Sequence, residues 1–380
     1  MDFGVYLHVP FCRQKCNYCD FISFPTEENR YQAYGQGLIA ELALYHPAVT
    51  GRRAVSVYFG GGTPSLLGPQ QLAEILTGIM GLIELVPDAE ITMEANPATI
   101  EQSQLETLRQ AGFNRLSIGA QARQDRLLSF LGRAHNSRDT EITVRAARKA
   151  GFANINLDLM YGLPGQSLED WQDTLNWAVA LEPEHLAAYG LKLEEGTLWE
   201  DQFKMGLLSL PEEETVLNMH ELTIHTLTGA GYLHYEISNF ARPGFRSVHN
   251  LLYWRNQEYL GLGVAASSHF GSMRWTNTKD LDAYLVMVNS GVLPVGEKES
   301  LPPEIEMAET VFLGLRLLEG YHPMDFQHRF GVPFEQVYGS QLAKLMTLGL
   351  IEKHRGRFRL TRQGLPLANE AFQKFLLTLP

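Results

Sequence analysis

Cysteine is scarce in this chain of 380 residues: there are only three, Cys12, Cys16 and Cys19, and they lie within eight positions. An odd and tightly clustered set excludes a disulfide framework. The sequence also lacks an apolar run of roughly 18 residues, the length that a membrane-spanning helix needs. Its start has neither the basic residues nor the long apolar stretch of a signal peptide. We therefore expect a cytoplasmic protein without a transmembrane segment.

Positive charge is in deficit as well. The chain has 31 Lys and Arg against 43 Asp and Glu, a formal net charge of −12. This balance makes the chain as a whole a poor candidate for bulk phosphate binding, and we expect no nucleic-acid partner. Hydrophobic residues make up 45% and charged residues 19%, which is typical of a folded globular protein. The length predicts two to three domains.

The first half of the chain alternates short apolar runs with amphipathic stretches. The predicted strands cover residues 5–9, 54–59, 90–94, 115–119, 154–160 and 185–191. The predicted helices cover about 27–45, 69–85, 101–111, segments up to 150, 168–181 and 212–230. Six strand–helix units in series predict an α/β fold with a parallel sheet and right-handed crossovers, as an open doubly wound sheet or a barrel-like arc. In either case ligands bind at the C-terminal ends of the strands.

The pattern changes twice further along the chain, so we divide it into residues 1–232, 233–300 and 301–380. Residues 233–300 are rich in aromatics and glycine, with short strand-like runs such as 234–237, and are interpreted as an extension packed against the first domain. Residues 301–380 predict helices at 304–318, 323–330 and 334–348 and a hairpin turning at Gly356, which resembles a winged helix. The last domain carries 9 Lys and Arg against 8 Asp and Glu, so it is nearly neutral.

Basic residues do cluster at this hairpin. They are Lys353, Arg355, Arg357, Arg359 and Arg362. Either they contact nucleic acid, or they form the solvated wing of a small accessory domain. We favour the solvated wing, because no other sign of nucleic-acid recognition accompanies the cluster.

The three cysteines follow the first predicted strand with the spacing Cys-x3-Cys-x2-Cys, where an active-site loop belongs. Thiolates are the usual ligands of iron in iron–sulfur clusters. A structural zinc site needs a fourth protein ligand, and His8, on its strand, is expected to lie away from the loop. Zinc and three unrelated buried cysteines are the alternatives. Three ligands on a four-iron cube leave one iron open to an exogenous chelator. The aromatic Tyr18 either lies against a flat ligand ring or packs in the core.

The run His-Val-Pro-Phe-Cys-Arg-Gln-Lys-Cys-Asn-Tyr-Cys at residues 8–19 resembles the Cys-x3-Cys-x-aromatic-Cys loop of radical S-adenosylmethionine (SAM) enzymes. This resemblance implies a partial TIM-type (β/α)6 barrel. It also implies a 4Fe–4S cluster on Cys12, Cys16 and Cys19, whose open iron is chelated by the amino and carboxylate groups of SAM.

The second predicted strand ends in Gly60-Gly61-Gly62-Thr63-Pro64. Glycine allows a backbone to approach a ligand closely, and the run resembles the family's Gly-Gly-Gly-Thr-Pro element, which contacts the SAM amino group. Other polar residues at strand ends either satisfy one another structurally or bind a polar ligand. The resemblance to the coproporphyrinogen oxidase branch implies SAM contacts at Tyr6, Gly61, Gly62, Thr63, Glu94, Gln121, Arg133 and Asp158. Arg133 suits a carboxylate, while Glu94 and Asp158 accept hydrogen bonds. The number of SAM molecules, one or two, stays open.

Nearly the whole chain resembles oxygen-independent coproporphyrinogen III oxidases and the related HemW family of haem chaperones. Two differences separate it from the oxidases. Phe21 stands where oxidases carry a further cysteine, and Cys12 lies almost at the start, where oxidases have an N-terminal extension.

Residues 249–254, His-Asn-Leu-Leu-Tyr-Trp, match the chaperones' His-Asn-x-x-Tyr-Trp motif. A histidine can ligate haem iron, and aromatic rings can pack on a porphyrin. The match therefore implies haem binding by His249, Asn250, Tyr253 and Trp254. By residue type alone, the motif is equally a core aromatic cluster with a hydrogen-bonded histidine. The alternative iron ligands are His8, His135, His234 and His269.

We therefore expect a haem chaperone with a 4Fe–4S cluster and SAM, which passes haem to acceptor proteins such as haem-containing respiratory enzymes. A homodimer is compatible with the sequence. The rival hypotheses are oxidative decarboxylation of coproporphyrinogen III, SAM-dependent radical chemistry on another substrate, and a nucleic-acid module at the C-terminal hairpin. We assign no catalytic residue.

Overall fold

A computed structural model describes residues 2–25 and 29–376. The predicted start of the first helix at residue 27 and the last four residues of the third predicted domain lie outside the described residues. None of the helices within these two ranges is long and apolar enough to cross a membrane.

The first half of the chain forms six parallel strands with helices between them, and the predicted strands are confirmed. The strands are β1 (Phe3–Val9), β2 (Arg53–Gly61), β3 (Glu84–Ala95), β4 (Arg115–Gln121), β5 (Ile155–Tyr161) and β6 (His185–Gly190). The helices are α1 (Asn29–Val49), α2 (Pro69–Leu82), α3 (Gln102–Ala111), α4 (Asp125–Leu131), α5 (Ser137–Lys149), α6 (Leu168–Ala180), α7 (Leu198–Lys204) and α8 (Glu213–Gly229). A short 3-10 helix covers Pro64–Leu67.

The order of these strands decides between the two predicted sheets. They lie side by side as β1-β2-β3-β4-β5-β6, without a reversal, whereas a doubly wound sheet reverses direction at a switch point. Right-handed crossovers that always step the same way leave every connecting helix on one face of the sheet. The chain is therefore an α/β protein with a partial TIM-type barrel of six units, as predicted.

Alternate residues of these strands face opposite sides of the arc. One face is apolar and packs under the helices, with residues such as Leu7, Phe59 and Leu157 fully buried. The register places a polar residue on each neighbouring strand at the opposite, inner face. These inner residues are Tyr6, His8, Ser56, Tyr58, Thr92, Glu94, Arg115, Ser117, Asn156, Asp158 and His185. The inner face is therefore built to meet polar partners.

Residues 233–300 extend the barrel sheet at both edges with strands of their own. The elements are β7 (Leu233–Glu236), β8 (Asn239–Ala241), α9 (Val248–Trp254), β9 (Tyr259–Leu262), β10 (Ser267–Phe270), β11 (Met273–Asn277), α10 (Leu281–Asn289) and β12 (Val295–Ser300). The sheet order is β12-β11-β10-β9-β1-β2-β3-β4-β5-β6-β8-β7. An open arc leaves unpaired backbone groups on both outer strands, and these segments pair with them. Residues 233–300 thus share one apolar core with the barrel, as an extension of it, and the boundary at residue 233 stays a prediction.

Glu41 of α1 shows how closely residues 233–300 are joined to the barrel. Its fully buried carboxylate accepts hydrogen bonds from the Gly263 amide (2.7 Å), the Asn277 side-chain amide (2.6 Å) and the Tyr284 hydroxyl (2.7 Å). Burial raises the pKa of Glu41 to about 7. A buried carboxylate without partners is costly, so these donors fix the edge strands to α1.

The C-terminal part has an aromatic core of its own, built on Phe326, Phe334, Tyr338, Phe358 and Phe375. Its elements are α11 (Pro303–Gly314), α12 (Pro323–Phe330), α13 (Phe334–Thr347), β13 (Ile351–His354), β14 (Arg357–Leu360) and α14 (Ala368–Leu376). The predicted three helices and hairpin are confirmed, whereas α14 was not predicted.

Four of the five basic residues at the hairpin have protein partners. Lys353 lies 3.6 Å from Glu335, and Arg359 lies 2.7 Å from Glu352. Arg362 pairs with Glu221 of α8, and Arg357 donates to the Gly320 carbonyl at 3.0 Å. These pairings reduce the charge that the hairpin offers to phosphate groups, so they favour a structural wing.

Candidate functional site

A cavity of about 670 Å³ lies where the six parallel strands end, within the range of about 300–1,000 Å³ typical of ligand pockets. The structure brings sixteen of the seventeen predicted site residues to its wall. They are Tyr6, Cys12, Cys16, Tyr18, Cys19, Gly61, Gly62, Thr63, Glu94, Gln121, Arg133, Asp158, His249, Asn250, Tyr253 and Trp254. Gly60 lies just behind the wall, where an added Cβ would come 2.9 Å from the Tyr58 ring.

The cysteine-bearing loop is closed at its base by backbone hydrogen bonds. The Phe24 amide donates to the Pro10 carbonyl (2.7 Å), and the Cys12 amide donates to the Phe24 carbonyl (3.3 Å). We expected His8 to lie away from this loop, and that expectation is wrong. Its Nε2 is 2.8 Å from the Ile22 carbonyl oxygen, because residues 10–24 fold back over the end of β1. His8 therefore anchors the loop.

The tip of the same loop is held by distant segments. The Asn17 amide donates to the Leu131 carbonyl (3.2 Å), and the Trp199 amide donates to the Asn17 carbonyl (3.1 Å). Tyr18 lies beside the Trp199 ring, with 5.9 Å between centroids, and also faces the cavity. The loop is thus supported from α4 and α7 before any ligand is added.

The donor set of the loop fits an iron–sulfur cluster. All three thiols are free and partly buried, and they share one wall of the cavity. The Cys12 Sγ lies 3.7 Å from the Thr63 hydroxyl, and the Cys16 Sγ lies 3.7 Å from Arg133 Nη1. Among the described residues, no three His, Cys, Asp or Glu side chains converge as ligands of a single ion. Thiolates that bind different irons of a cube do not need such convergence.

The glycines after β2 allow the turn to pack against the cysteine loop. An added Cβ at Gly62 would lie 2.5 Å from the Phe11 carbonyl oxygen, and one at Gly61 would lie 2.6 Å from the His8 ring. Gly61 also has a φ of +107°, which side chains disfavour. This turn therefore packs closely against the end of β1 and the loop, which places Thr63 beside Cys12. The predicted close approach to a ligand stays a prediction.

Two carboxylates face the cavity, one from β3 and one from β5. Glu94 accepts hydrogen bonds from the Tyr58 hydroxyl (2.7 Å) and the Gly61 amide (3.2 Å). Asp158 accepts from Ser117 (3.0 Å) and Asn156 (2.9 Å). Burial raises the pKa of both, that of Glu94 to about 7. Glu94 is therefore close to half ionised near neutral pH, and a positive ligand would favour its charged form.

Arg133 and Gln121 complete the cysteine side of the cavity. Arg133 Nη2 donates to the Gly119 carbonyl at 2.8 Å, while its buried Nε has no acceptor among the described residues. A buried donor of this kind calls for a partner from a ligand or water. Gln121 has a φ of +63°, a strained backbone state that is concentrated at functional sites.

His249 lies on the other side of the cavity, on α9, and is 1% exposed. Its Nδ1 is 2.8 Å from the Ser56 hydroxyl, and its Nε2 is 2.8 Å from the Tyr253 hydroxyl. Both ring nitrogens are thus engaged. Burial lowers the pKa of His249 to about 3, so the ring is neutral, as a metal ligand must be. Iron ligation by His249 requires the loss of one of these hydrogen bonds.

The start of α9 is fixed by a buried carboxylate. Glu90 accepts from the Val248 amide (3.1 Å) and the His249 amide (3.0 Å), and Arg115 lies 3.8 Å from it. Negative charge at a helix start is favourable. Because Glu90 and Arg115 both belong to barrel strands, they hold the motif helix against the inner face.

Of the five candidate histidines, His249 alone lines this cavity. His8 has both ring nitrogens in hydrogen bonds, with Tyr6 and Ile22. His269 lies on a smaller cavity of about 280 Å³. His135 and His234 line neither of these two cavities, so the geometry favours His249 over the alternatives.

Sequence reasoning missed several residues of the cavity wall. The main ones are Tyr58, Asn96, Ser117, Tyr189, Glu236, Asn239 and Arg316. Tyr58 and Ser117 had a usable signal, because they occupy the same alternating strand face as predicted site residues. Arg316 comes from the C-terminal part of the chain, and no local pattern indicates it.

The sequence matches two known families and a group of relatives. Residues 6–178 match the radical SAM superfamily, and residues 301–367 match the HemN C-terminal domain. The chain is 36% identical over 377 residues to the heme chaperone HemW of Lactococcus lactis, covering 98% of this chain and 97% of that protein. It belongs to the HemW family of heme chaperones. Membership of the radical SAM superfamily implies a 4Fe–4S cluster and SAM as cofactors.

Other relatives agree with this membership. The heme chaperone HemW of Escherichia coli is 34% identical over 378 residues, with 98% of each chain covered. The fold is similar to that of coproporphyrinogen III oxidase (HemN) from Escherichia coli, a radical SAM enzyme, with a TM-score of 0.86 and 25% identity over 100% of this chain and 91% of that one. The barrel, the edge strands and the C-terminal part are thus shared with that fold.

We predict that Gly62→Ala destabilises the chain, because the new methyl group must displace the backbone at Phe11. Overpacking of this kind costs about 1–3 kcal/mol. The measurement is the free energy of unfolding in urea, without any cofactor. Gly81→Ala is the matched control, because an added Cβ there meets nothing within 4 Å. Equal stability of the two variants would contradict the packing of the glycine turn against the cysteine loop.

Proposed function

We propose that the protein binds haem in the large cavity and transfers it to acceptor proteins, such as haem-containing respiratory enzymes. The observation that carries this proposal is that a single cavity is lined both by the three cysteines and by His249, Asn250, Tyr253 and Trp254. Membership of a family of heme chaperones supports the same function. A homodimer and a cytoplasmic location remain predictions.

The cysteine side of the cavity is proposed to hold the cofactors. Cys12, Cys16 and Cys19 would bind a 4Fe–4S cluster, whose open iron is the site where SAM chelates. Arg133 suits the SAM carboxylate, because its guanidinium is planar and its Nε lacks an acceptor among the described residues. The remaining proposed SAM contacts are Tyr6, Tyr18, Gly60, Gly61, Gly62, Thr63, Glu94, Gln121 and Asp158.

The motif side of the cavity is proposed to hold haem. Tyr253 is the hydrogen-bond partner of His249 on this side, because its hydroxyl lies 2.8 Å from Nε2. The other nitrogen faces Ser56, which is fully buried on β2 and does not line the cavity, whereas Tyr253 does. Nε2 is therefore the nitrogen that can be freed for iron, by rotation of Tyr253. Breaking one such hydrogen bond costs only about 0.5–1.5 kcal/mol net.

The two sides are connected through Tyr58. Its ring stacks on the His249 ring, with 5.0 Å between centroids, and its hydroxyl donates to Glu94. Glu94 in turn accepts from the Gly61 amide. A ligand that moves Glu94 would therefore shift Tyr58 and the packing behind His249. This contact supports a role of the cofactors in haem handling.

Coproporphyrinogen III oxidation is the second candidate, favoured by the similarity to the HemN structure. Phe21, at the cavity wall and 56% exposed, stands against it, because oxidases are expected to carry a cysteine there. Protoporphyrinogen IX formed from coproporphyrinogen III, with SAM and a reductant under anaerobic conditions, would favour the oxidase.

We predict that SAM affinity increases with pH through about 7. The sulfonium of SAM carries a fixed positive charge, and burial raises the pKa of Glu94 to about 7, so its ionised fraction increases through that pH. Affinity that depends on the ionised carboxylate falls up to about tenfold per pH unit below that value. The measurement is equilibrium dialysis of cluster-loaded protein between pH 6 and 8.

Glu94→Gln should flatten this pH dependence, because an amide does not ionise in this range. S-adenosylhomocysteine, which lacks the sulfonium charge, is the matched ligand and should show a weaker dependence. Identical pH profiles for the wild type and Glu94→Gln would contradict a contact between Glu94 and SAM.

We predict that haem binds saturably, near one haem per chain, and that His249→Ala alters its Soret band. Tyr253→Phe should keep the band and bind haem at least as tightly, because it frees Nε2 without removing the aromatic ring. The measurement is an anaerobic titration followed by absorption spectroscopy. His225→Ala, on the exposed face of α8, is the matched control.

The outcomes of this titration separate the parts of the proposal. Absence of saturable binding in the wild type would overturn the haem chaperone function for this cavity. Saturable binding with an unchanged Soret band in His249→Ala would move the iron ligand to another residue.

A further inference from the structure

Among the cationic residues that line the cavity, one lies on the motif side. Three Lys or Arg residues line the cavity: Lys15, Arg133 and Arg316. Lys15 belongs to the cysteine loop, and Arg133 touches Cys16. Arg316 lies instead on the indole of Trp254, with its guanidinium carbon 4.1 Å from the ring centroid. Arg316 is therefore the lining cation that the motif side offers to an anionic group of a ligand.

Arg316 has unused hydrogen-bonding capacity. A guanidinium carries five N–H donors, and the described structure gives Arg316 one hydrogen bond, from Nη2 to Glu236 at a long 3.4 Å. Its buried Nε has no acceptor among the described residues. The buried indole Nε1 of Trp254, stacked beside it, has none either. Neighbouring unpaired donors of this kind are costly unless a ligand supplies acceptors.

The position of Arg316 is set in advance of any ligand. The stacking on Trp254 fixes one face of the guanidinium, and such contacts leave the N–H edge free. Glu236, which is fully buried, holds the other side. The Arg316 side chain itself is 24% exposed. A preordered guanidinium loses little conformational entropy when it binds a planar anion.

The neighbouring carboxylate does not cancel this capacity. Glu236 also accepts from the Ser238 amide (3.0 Å) and from the side-chain amide of Asn239. Burial raises the pKa of Glu236, and Arg316 is the main influence that opposes the rise. A second carboxylate at Arg316 would favour the protonated form of Glu236, which leaves the guanidinium charge for the ligand.

We infer that Arg316, together with Trp254, is the receptor for a carboxylate of the tetrapyrrole, that is, for a haem propionate. This inference rests on the proposed function. It makes the C-terminal part of the chain a contributor to the binding site, because Arg316 follows α11. It also orients the haem: a propionate lies at Arg316, and the porphyrin ring extends toward His249 and Tyr253.

Haem and its dimethyl ester, in which both propionates are blocked, test this inference. The wild type should bind haem about 10- to 100-fold more tightly than Arg316→Gln does, the range expected for a charge-assisted hydrogen bond. The preference for haem over the ester should shrink by about tenfold or more in Arg316→Gln. Arg316→Lys should recover part of the affinity, because it keeps the charge but not the planar fork.

Two controls keep the result interpretable. Arg359→Gln removes an arginine of the same C-terminal part, outside the cavity, and should bind haem like the wild type. SAM affinity of Arg316→Gln should stay within about twofold of the wild type, which also reports that the variant is folded. The ester comparison in the wild type needs no variant at all.

Three results would overturn the inference. Equal affinity of the wild type for haem and its ester would exclude propionate recognition while leaving haem binding in place. Weaker SAM binding with unchanged haem binding in Arg316→Gln would assign the carboxylate to SAM instead. No saturable haem binding by the wild type would overturn the proposed function, and this inference with it.

Discussion

The structure depends on one constraint: an open barrel of six strands carries polar side chains on its inner face, and these side chains need partners. Asn156, Ser117, Asp158 and His185 satisfy one another across β4, β5 and β6. On β2, Ser56 and Tyr58 instead meet His249 and Glu94. The polar side chains of the inner face therefore do two things: some hydrogen-bond the motif helix, and others line the cavity.

The edge strands follow from the same open geometry. A closed barrel pairs its first strand with its last, whereas this arc leaves β1 and β6 with free edges. Residues 233–300 cover both edges, and between them the chain crosses the inner face as α9. The helix that carries the motif thus lies against the inner face, in the segment that connects the two edges.

Much of the fold and part of the site could be predicted from local sequence. The spacing of Cys12, Cys16 and Cys19 and the glycine run that ends at Gly62 are short patterns that one loop or turn displays in full. The strand alternation likewise indicates which residues face the cavity.

Other features arise only from contacts between distant segments. Glu236 and Arg316 lie 80 residues apart in sequence, and Ser56 and His249 lie 193 apart. No local pattern reports such a pairing. For that reason the engaged state of both His249 nitrogens, the anchoring of the cysteine loop by His8, and the contribution of Arg316 to the cavity emerge only from the fold.

The central claim is that cluster and haem share one cavity. Anomalous diffraction at the iron edge, from crystals of cluster-loaded protein with haem, tests it most directly. We expect two separate iron signals in the cavity, a four-iron one at the cysteine loop and a single iron next to His249. A single-iron signal outside this cavity, with the cluster in place, would contradict it.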